Sequence, residues 1–465
     1  MKTRTRATAL LASLTLLAAC AGMPDDRPRD VRQYTIEEFL GTTTILGASF
    51  SPDGSKILVS TDESGVFNAF ALPVDGGPPV QLTHSTTDGI YVASYFPNDE
   101  RFLYLSDQGG NELTHIYVQA PDGTVRDLTP GENLKANFLG WAKDDASFFI
   151  STNERDPRFF DVYEVAADSY ERTLVYRNDE GYDFGAVSPD KRYLALFKSR
   201  TTTDSDVYLY DRETGELRHL TPHEGEVLNV PVEFTPDGTG LLLTTDEGSE
   251  FSYLVRLDLA SARRDTLVKA DWDMMYAQYS EQGNYLVVAI NNDARTEIRI
   301  YDRDMRPVTL PGQPAGDITS VVFSPDERRI AYYVSSSRVP RDLFVQDMGG
   351  GAPRQLTTSL NPAIAPEDLV EGEVVRFASY DGVEIPGILY RPHQASAATP
   401  VPALVWVHGG PGGQSRLGYS PLIQYLVNHG YAVYAINNRG SSGYGKTFFK
   451  MDDRRHGEAD LGDVV

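Results

Sequence analysis

The chain has 465 residues, too many for one typical domain, with 26 Tyr, 20 Phe and an ordinary apolar fraction of 41%. That composition excludes a disordered or fibrous chain and leaves room for two or three packed domains. The formal net charge of −24 opposes any general affinity for nucleic acid or anionic lipid.

The first residues read as a targeting segment and not as fold. Lys2, Arg4 and Arg6 precede an apolar run from Ala7 to Ala19 that is shorter than the ~20 residues a spanning helix needs. It closes on Leu17-Ala18-Ala19-Cys20, which resembles a bacterial lipobox, and Cys20 is the single cysteine of the sequence. The resemblance implies cleavage after residue 19, lipidation of Cys20 and anchoring of the mature chain by acyl groups. With Ala21 beside the cysteine, and not Asp, it further implies the outer membrane of a cell envelope, facing the periplasm. Residues 20–42 then read as a lipidated tether, polar from Gly22 to Arg32, with a short amphipathic turn over Thr35 to Leu40.

A repeat follows. Phe50-Ser51-Pro52-Asp53-Gly54 returns as Phe96-Pro97-Asn98-Asp99, Val187-Ser188-Pro189-Asp190, Phe234-Thr235-Pro236-Asp237-Gly238 and Phe323-Ser324-Pro325-Asp326, with weaker copies at 142–145 and 279–283. The markers fall at 52, 97, 143, 189, 236, 281 and 325, a period of roughly 45 residues that matches a four-stranded propeller blade. Pro presets a tight turn, and Gly or a small acid closes it. Each turn precedes a β-rich run such as Ile57 to Ser60 or Leu241 to Thr244, then an alternating strand such as Asp206 to Tyr210. Most repeats end in Leu-Thr, at Thr83, Thr129, Thr221 and Thr357. Seven copies predict an all-β seven-bladed propeller over 43–360. His84, His115, His219 and His223 are read as scattered singly, and no metal-ligand spacing stands out; neither a metal nor a cofactor is expected.

Past the Pro-rich crossing at 361–366 the pattern changes. Glu373 to Ser379 and Val383 to Tyr390 predict a hairpin around Tyr380-Asp381-Gly382. Pro402 to His408 reads as a buried parallel strand, Tyr419 to Asn428 as a helix capped by Gly430, and Tyr431 to Ile436 as the next parallel strand. The first of these strands ends in His408-Gly409-Gly410-Pro411-Gly412-Gly413, and the second in Asn437-Asn438-Arg439-Gly440-Ser441-Ser442-Gly443-Tyr444-Gly445. Asp460 to Val465 begins another helix, with its acids placed to favour the N-terminus.

A propeller followed by these two loops resembles the prolyl oligopeptidase family, in its acylaminoacyl-peptidase and bacterial dipeptidyl-peptidase branch. The resemblance implies that 361–465 is the N-terminal part of an α/β-hydrolase domain performing acyl transfer on short peptides through a Ser-Asp-His triad. It assigns Gly410 as an oxyanion-hole N–H donor, and His408, Gly409, Arg439 and Tyr444 as substrate-site loop residues. A Gly-x-Ser-x-Gly elbow is not found before Val465. Gly418-Tyr419-Ser420-Pro421 and Gly440-Ser441-Ser442-Gly443 are the nearest decoys. The expectation is therefore a serine peptidase whose triad Ser, Asp and His lie outside these residues, inactive as given. The alternative is an envelope propeller that binds peptides or partner proteins.

Overall fold

The computed structural model describes residues 28–410 and 412–465, so Cys20 and Pro411 lie outside the described residues. Seven four-stranded antiparallel sheets follow one another, each with its strands in simple chain order. They occupy 45–81, 91–127, 136–176, 183–219, 229–268, 274–308 and 317–355. Both faces of every sheet are covered by neighbours, which is why the second strands read as apolar runs without alternation. Ile57, Leu58 and Val59 are fully buried, as are Leu241, Leu242 and Leu243.

One apolar cluster sits at each seam between adjacent blades. The last seam closes the ring, packing Ile45, Ile57 and Phe70 of the first blade against Ala331, Tyr333 and Leu343 of the seventh. The Tyr333 hydroxyl donates to the Gly47 carbonyl at 2.6 Å, and Arg329 reaches Asp75 at 3.4 Å. Among the described residues no strand is exchanged across this seam, so side chains, these polar contacts and the bond from Thr43 N to the Ser359 carbonyl at 2.9 Å hold it.

The repeated residues have distinct tasks. In the turn between first and second strands, the Ser51 hydroxyl donates to Asp53 Oδ1 at 2.6 Å and accepts from Lys56 N at 3.0 Å. Ser188, Thr235 and Ser324 make the same bond to Asp190, Asp237 and Asp326. The residue after the Asp is left-handed, at φ +68° for Gly54 and +69° for Gly238. At Gly283 a side chain is also excluded by packing, since a Cβ would lie 2.5 Å from Pro236 Cγ of the preceding blade. Lys191 and Glu327 hold the same conformation, at φ +62° and +54°. Their side chains reach the preceding turn instead: Lys191 Nζ lies 2.5 Å from Asp144, and Glu327 accepts from Gln282 N at 2.6 Å.

The Leu-Thr endings cap the third strands. Thr83, Thr129, Thr221 and Thr357 accept from the backbone N–H of Ala69, Ile116, Val207 and Leu343 at 2.8–3.0 Å.

The remaining sheet is mixed. Strands Glu373–Ala378, Glu384–Tyr390, Ala403–Val407 and Ala432–Ile436 lie in the order first, second, fourth, third, and only the last two run parallel. Helix Pro421–Asn428 joins that pair, with Ser420 as N-cap and Gly430 at φ +87° past its end. Strand Ala403–Val407 has the apolar composition of an inner strand, and among the described residues it pairs on one side only, with Ala432–Ile436, so all five residues are exposed.

The segment read as a tether is also packed from Arg29 onward. Helix Ile36–Leu40 carries a capping box from Thr35, and Phe39 and Tyr34 join Ile364 and Leu369 in one cluster. Tyr34 N donates to Asn428 Oδ1 at 2.9 Å, tying this segment to the hydrolase helix.

Replacing Thr83 by Val keeps the shape but leaves the buried Ala69 N–H without its acceptor. Urea unfolding should show a loss of about 1–3 kcal/mol, whereas a loss under 0.5 kcal/mol would show that the Leu-Thr ending is not a structural cap.

Candidate functional site

The two glycine-rich loops meet at the C-terminal ends of the parallel strands, where open α/β sheets place their sites. His408 ends strand Ala403–Val407. Its Nε2 lies 2.8 Å from Ser441 Oγ, and that hydroxyl donates to the Asn438 carbonyl at 2.6 Å. The serine's proton is thus committed, so His408 presents Nε2–H to the oxygen. Burial holds the His408 imidazole below its ordinary pKa, which matches this neutral form. Ser441 is fully buried and cannot serve as a nucleophile.

Gly409 and Gly410 follow in the open. Gly410 is left-handed at φ +55°, and nothing lies within 4 Å of the position a Cβ would take at either glycine. Among the described residues, neither N–H donates a backbone hydrogen bond outside the regular elements. The loop returns at Gly413, whose carbonyl accepts from Ser442 N at 3.0 Å. The decoy serines are accounted for: Ser442 leans on that same carbonyl, and Ser420 caps the helix.

Asn437 was not singled out from the sequence, yet it organises the second loop. It is fully buried, accepts from Ser415 N at 2.6 Å, and donates to the Ser415 carbonyl at 3.0 Å and the Tyr444 hydroxyl at 2.9 Å. Tyr444 packs edge-on against Trp272 of the propeller and Phe448, and burial raises its pKa.

Arg439 stands apart from the open site. It is 4% exposed and forks onto Asp381 at 2.7 and 2.9 Å and onto Asp463 at 2.7–3.1 Å. Asp463 also accepts from Arg439 N at 2.9 Å and from Ser379 Oγ at 2.7 Å. Arg439 is therefore a clamp joining the hairpin turn, the second loop and helix Ala459–Val464. Asp463 is part of that clamp, and not an acid serving the helix N-terminus.

The propeller face carrying the loops between second and third strands covers the site. Lys446 Nζ meets Asp246 at 3.1 Å, Thr447 N donates to Glu250 at 2.6 Å, and Arg376 pairs with Asp293 at 2.7 Å. Asn291 donates to Gln414 at 2.8 Å. Between these contacts lies a cavity of about 260 Å³ lined by Asp246, Glu250, Asp273, Met274, Ser442 and Phe449 among others. Asp273 is held above the ordinary carboxylate range by burial. Two histidines read as scattered are instead gathered in the fourth blade. His219 lies 2.8 Å from Asp206, and His223 lies 3.0 Å from Asp204 and 3.2 Å from Asp206. Arg200 pairs with both acids, so the group is a compensated charge cluster.

A seven-bladed propeller seated on the strand ends of an α/β sheet, over an open His-Gly-Gly loop, defines a propeller-capped member of the α/β-hydrolases. The chain belongs to the prolyl oligopeptidase family: the model of its N-terminal β-propeller domain matches residues 89–359, and the prolyl oligopeptidase family model matches 418–465. Dipeptidyl aminopeptidase BIII of Pseudoxanthomonas mexicana is 28% identical over 93% of this chain, and dipeptidyl peptidase family member 6 of Caenorhabditis elegans is 23% identical over 86%. The chain spans 64% and 59% of the lengths of these two relatives. A solved prolyl endopeptidase shares the fold with a TM-score of 0.75 at 17% identity, over 92% of this chain and 66% of its own.

Two variants test the clamp. Arg439→Met leaves the Asp463 carboxylate, 0% exposed, without its counter-ion, and should cost about 3–5 kcal/mol in denaturant unfolding. The Asp381 carboxyl is lowered from 3.8 to about 2 by its bonds to Arg439. A depressed carboxyl contributes stability that is complete above its ordinary pKa and lost as pH falls through the folded value. Stability measured from about pH 4 down to about pH 2 should therefore fall less steeply in Asp381→Asn than in the parent chain; equal slopes would remove Asp381 from the clamp.

Proposed function

We propose that this chain carries the propeller and the oxyanion-loop half of the catalytic domain of a serine peptidase that cleaves short peptides by acyl transfer. The observation that carries the reading is Gly410, a left-handed glycine with open space beside it at a strand's C-terminal end. Such an N–H is placed to meet a carbonyl oxygen as it gains charge, and one donor of this kind is worth about 10²–10³ in kcat. His408, held by Ser441, would fix the loop that presents it. The propeller closes over the strand ends around a cavity of about 260 Å³, and such a cover supports short peptides as the substrate class. The names of the two relatives, a dipeptidyl aminopeptidase and a dipeptidyl peptidase, agree with that class.

The covalent step needs a serine activated by a base. Ser420, Ser441 and Ser442 are each committed to a cap or a carbonyl. These 465 residues by themselves should thus show no turnover of chromogenic dipeptide or acyl-alanine substrates and no labelling by a fluorophosphonate. A polypeptide of the relatives' length that includes them should do both, and should lose at least about tenfold in kcat on Gly410→Ala, which strains the left-handed backbone. Stoichiometric labelling of any serine in the 465 residues would overturn the assignment. A longer polypeptide that binds peptides but never labels would make the propeller a binding module.

Lipid attachment at Cys20, with a place in the cell envelope, is the second part of the proposal and rests on Lys2, Arg4, Arg6 and Leu17-Ala18-Ala19-Cys20. Metabolic labelling with a radioactive fatty acid should mark the parent chain and not Cys20→Ser. An unlabelled parent chain free in the periplasm would refute it.

A further inference from the structure

Asp452, His456 and Asp460 lie four residues apart in sequence and meet in space. One ligand-capable atom of each falls within 4.8 Å of the others. His456 Nδ1 is 2.7 Å from Asp460 Oδ2 and 3.7 Å from Asp452 Oδ2. Two ligands of one metal ion, each about 2.1 Å from it, stand about 3–3.5 Å apart, so small side-chain shifts would bring all three into one coordination sphere.

The state of Asp452 is the independent sign that a ligand belongs here. Its side chain is 10% exposed, and among the described residues its nearest charged partner is His456 at 3.7 Å, beyond hydrogen-bond reach. Gly440 walls it on one side: a Cβ there would lie 2.3 Å from the Asp452 carboxyl carbon. Asp460 Oδ1 is already held by Gly457 N at 2.7 Å, which leaves Oδ2 facing the imidazole. Among the described residues no side chain donates to the Asp452 carboxylate, and such a group, mostly buried beside a second carboxylate, is costly unless a cation joins them. The His456 ring satisfies only Asp460.

We propose that Asp452, His456 and Asp460 form a binding site for a divalent transition-metal ion, Zn²⁺ in the first instance. An imidazole in the set disfavours Mg²⁺ and Ca²⁺, which take oxygen ligands, while two carboxylates and one histidine suit Zn²⁺ with a water at the open position. The ion would bind Nδ1 and leave the ring proton on Nε2. It would join the turn Lys450–Asp452 to helix Ala459–Val464, the helix that carries Asp463 to Arg439. The site does not depend on the peptidase reading. Spacings of four and four suggest one helix face in sequence, whereas the chain here is a 3-10 turn, further turns and a short helix.

The 465-residue chain, stripped with EDTA, is titrated with ZnCl₂ against a chromogenic chelator, and its melting temperature is followed with and without Zn²⁺. One equivalent should bind with a Kd of about 10 µM or tighter, and Zn²⁺ should raise the melting temperature. Asp452→Asn and His456→Ala should each weaken binding at least about tenfold and abolish the shift. His456 is 64% exposed, so its replacement leaves the fold intact should Asp452→Asn disturb it. Binding that is unchanged in His456→Ala, absent below about 1 mM, or displaced equally by Mg²⁺ would overturn the proposal.

Discussion

The molecule depends on the contact between each blade's turn and the turn before it. Because the seven sheets keep their strands to themselves, no strand ladder locks the ring, and each seam is made by side chains with single backbone bonds such as Ala136 N to the Thr114 carbonyl at 2.8 Å. The turns supply the outer part of each seam. Gly283 lies against Pro236, Gly238 against Pro189, and Gly54 against Pro325, the last being the contact that joins the first blade to the seventh. Where a larger residue occupies the left-handed position, as at Lys191 and Glu327, its side chain crosses to the preceding blade by charge or hydrogen bond. The same backbone conformation is thus used twice, once to let proline in and once to aim a charged group.

This ring fixes the site by presenting four of its residues to the hydrolase part. Asp246 and Glu250 come from the fifth blade, and Asn291 and Asp293 from the end of the sixth blade's second strand. Asp246, Glu250 and Asn291 meet residues beside the glycine-rich loops and Asp293 meets Arg376 of the hairpin, so the cap is registered on the loops and the hairpin. Within the hydrolase part the Arg439 fork does the corresponding work. It gathers a hairpin turn, a loop and a helix that have few apolar residues of their own to share. Losing the arginine would strand a buried acid, which explains why a charged group is tolerated at such depth.

The blade repeat was legible in sequence because turn chemistry is local: Pro, Asp and Gly act on residues two to five positions away, and Ser51 with Asp53 and Lys56 shows the whole device. The His-Gly-Gly loop was singled out by its resemblance to a family motif and not by turn chemistry. Arg439 was visible as a residue but not as a clamp, since Asp381 and Asp463 are remote in sequence and nothing about an Asp-Gly turn or a helix start announces a shared partner. Asn437 was hidden by its neighbours, being one polar residue among many in a loop, and only burial distinguishes it. The apolar run at Ala403–Val407 has the composition of an inner strand, and among the described residues one of its sides is unpaired.

The order of the last two strands in this sheet bears on how the chain is made. A ribosome delivers Ala403–Val407 before Ala432–Ile436, yet the later strand is the sole hydrogen-bonding neighbour of the earlier one among the described residues. The hairpin Glu373–Ala378 with Glu384–Tyr390 can pair as soon as it emerges, but the segment leading to His408 must remain unpaired until helix Pro421–Asn428 has been synthesised and the next strand has reached the hairpin's free side. At about 5–20 residues per second the wait lasts seconds, long against the microseconds in which hairpins close. For that interval the nascent chain exposes Leu404, Val405, Trp406 and Val407 together, the stretch on which a chaperone or a wrong strand would act first.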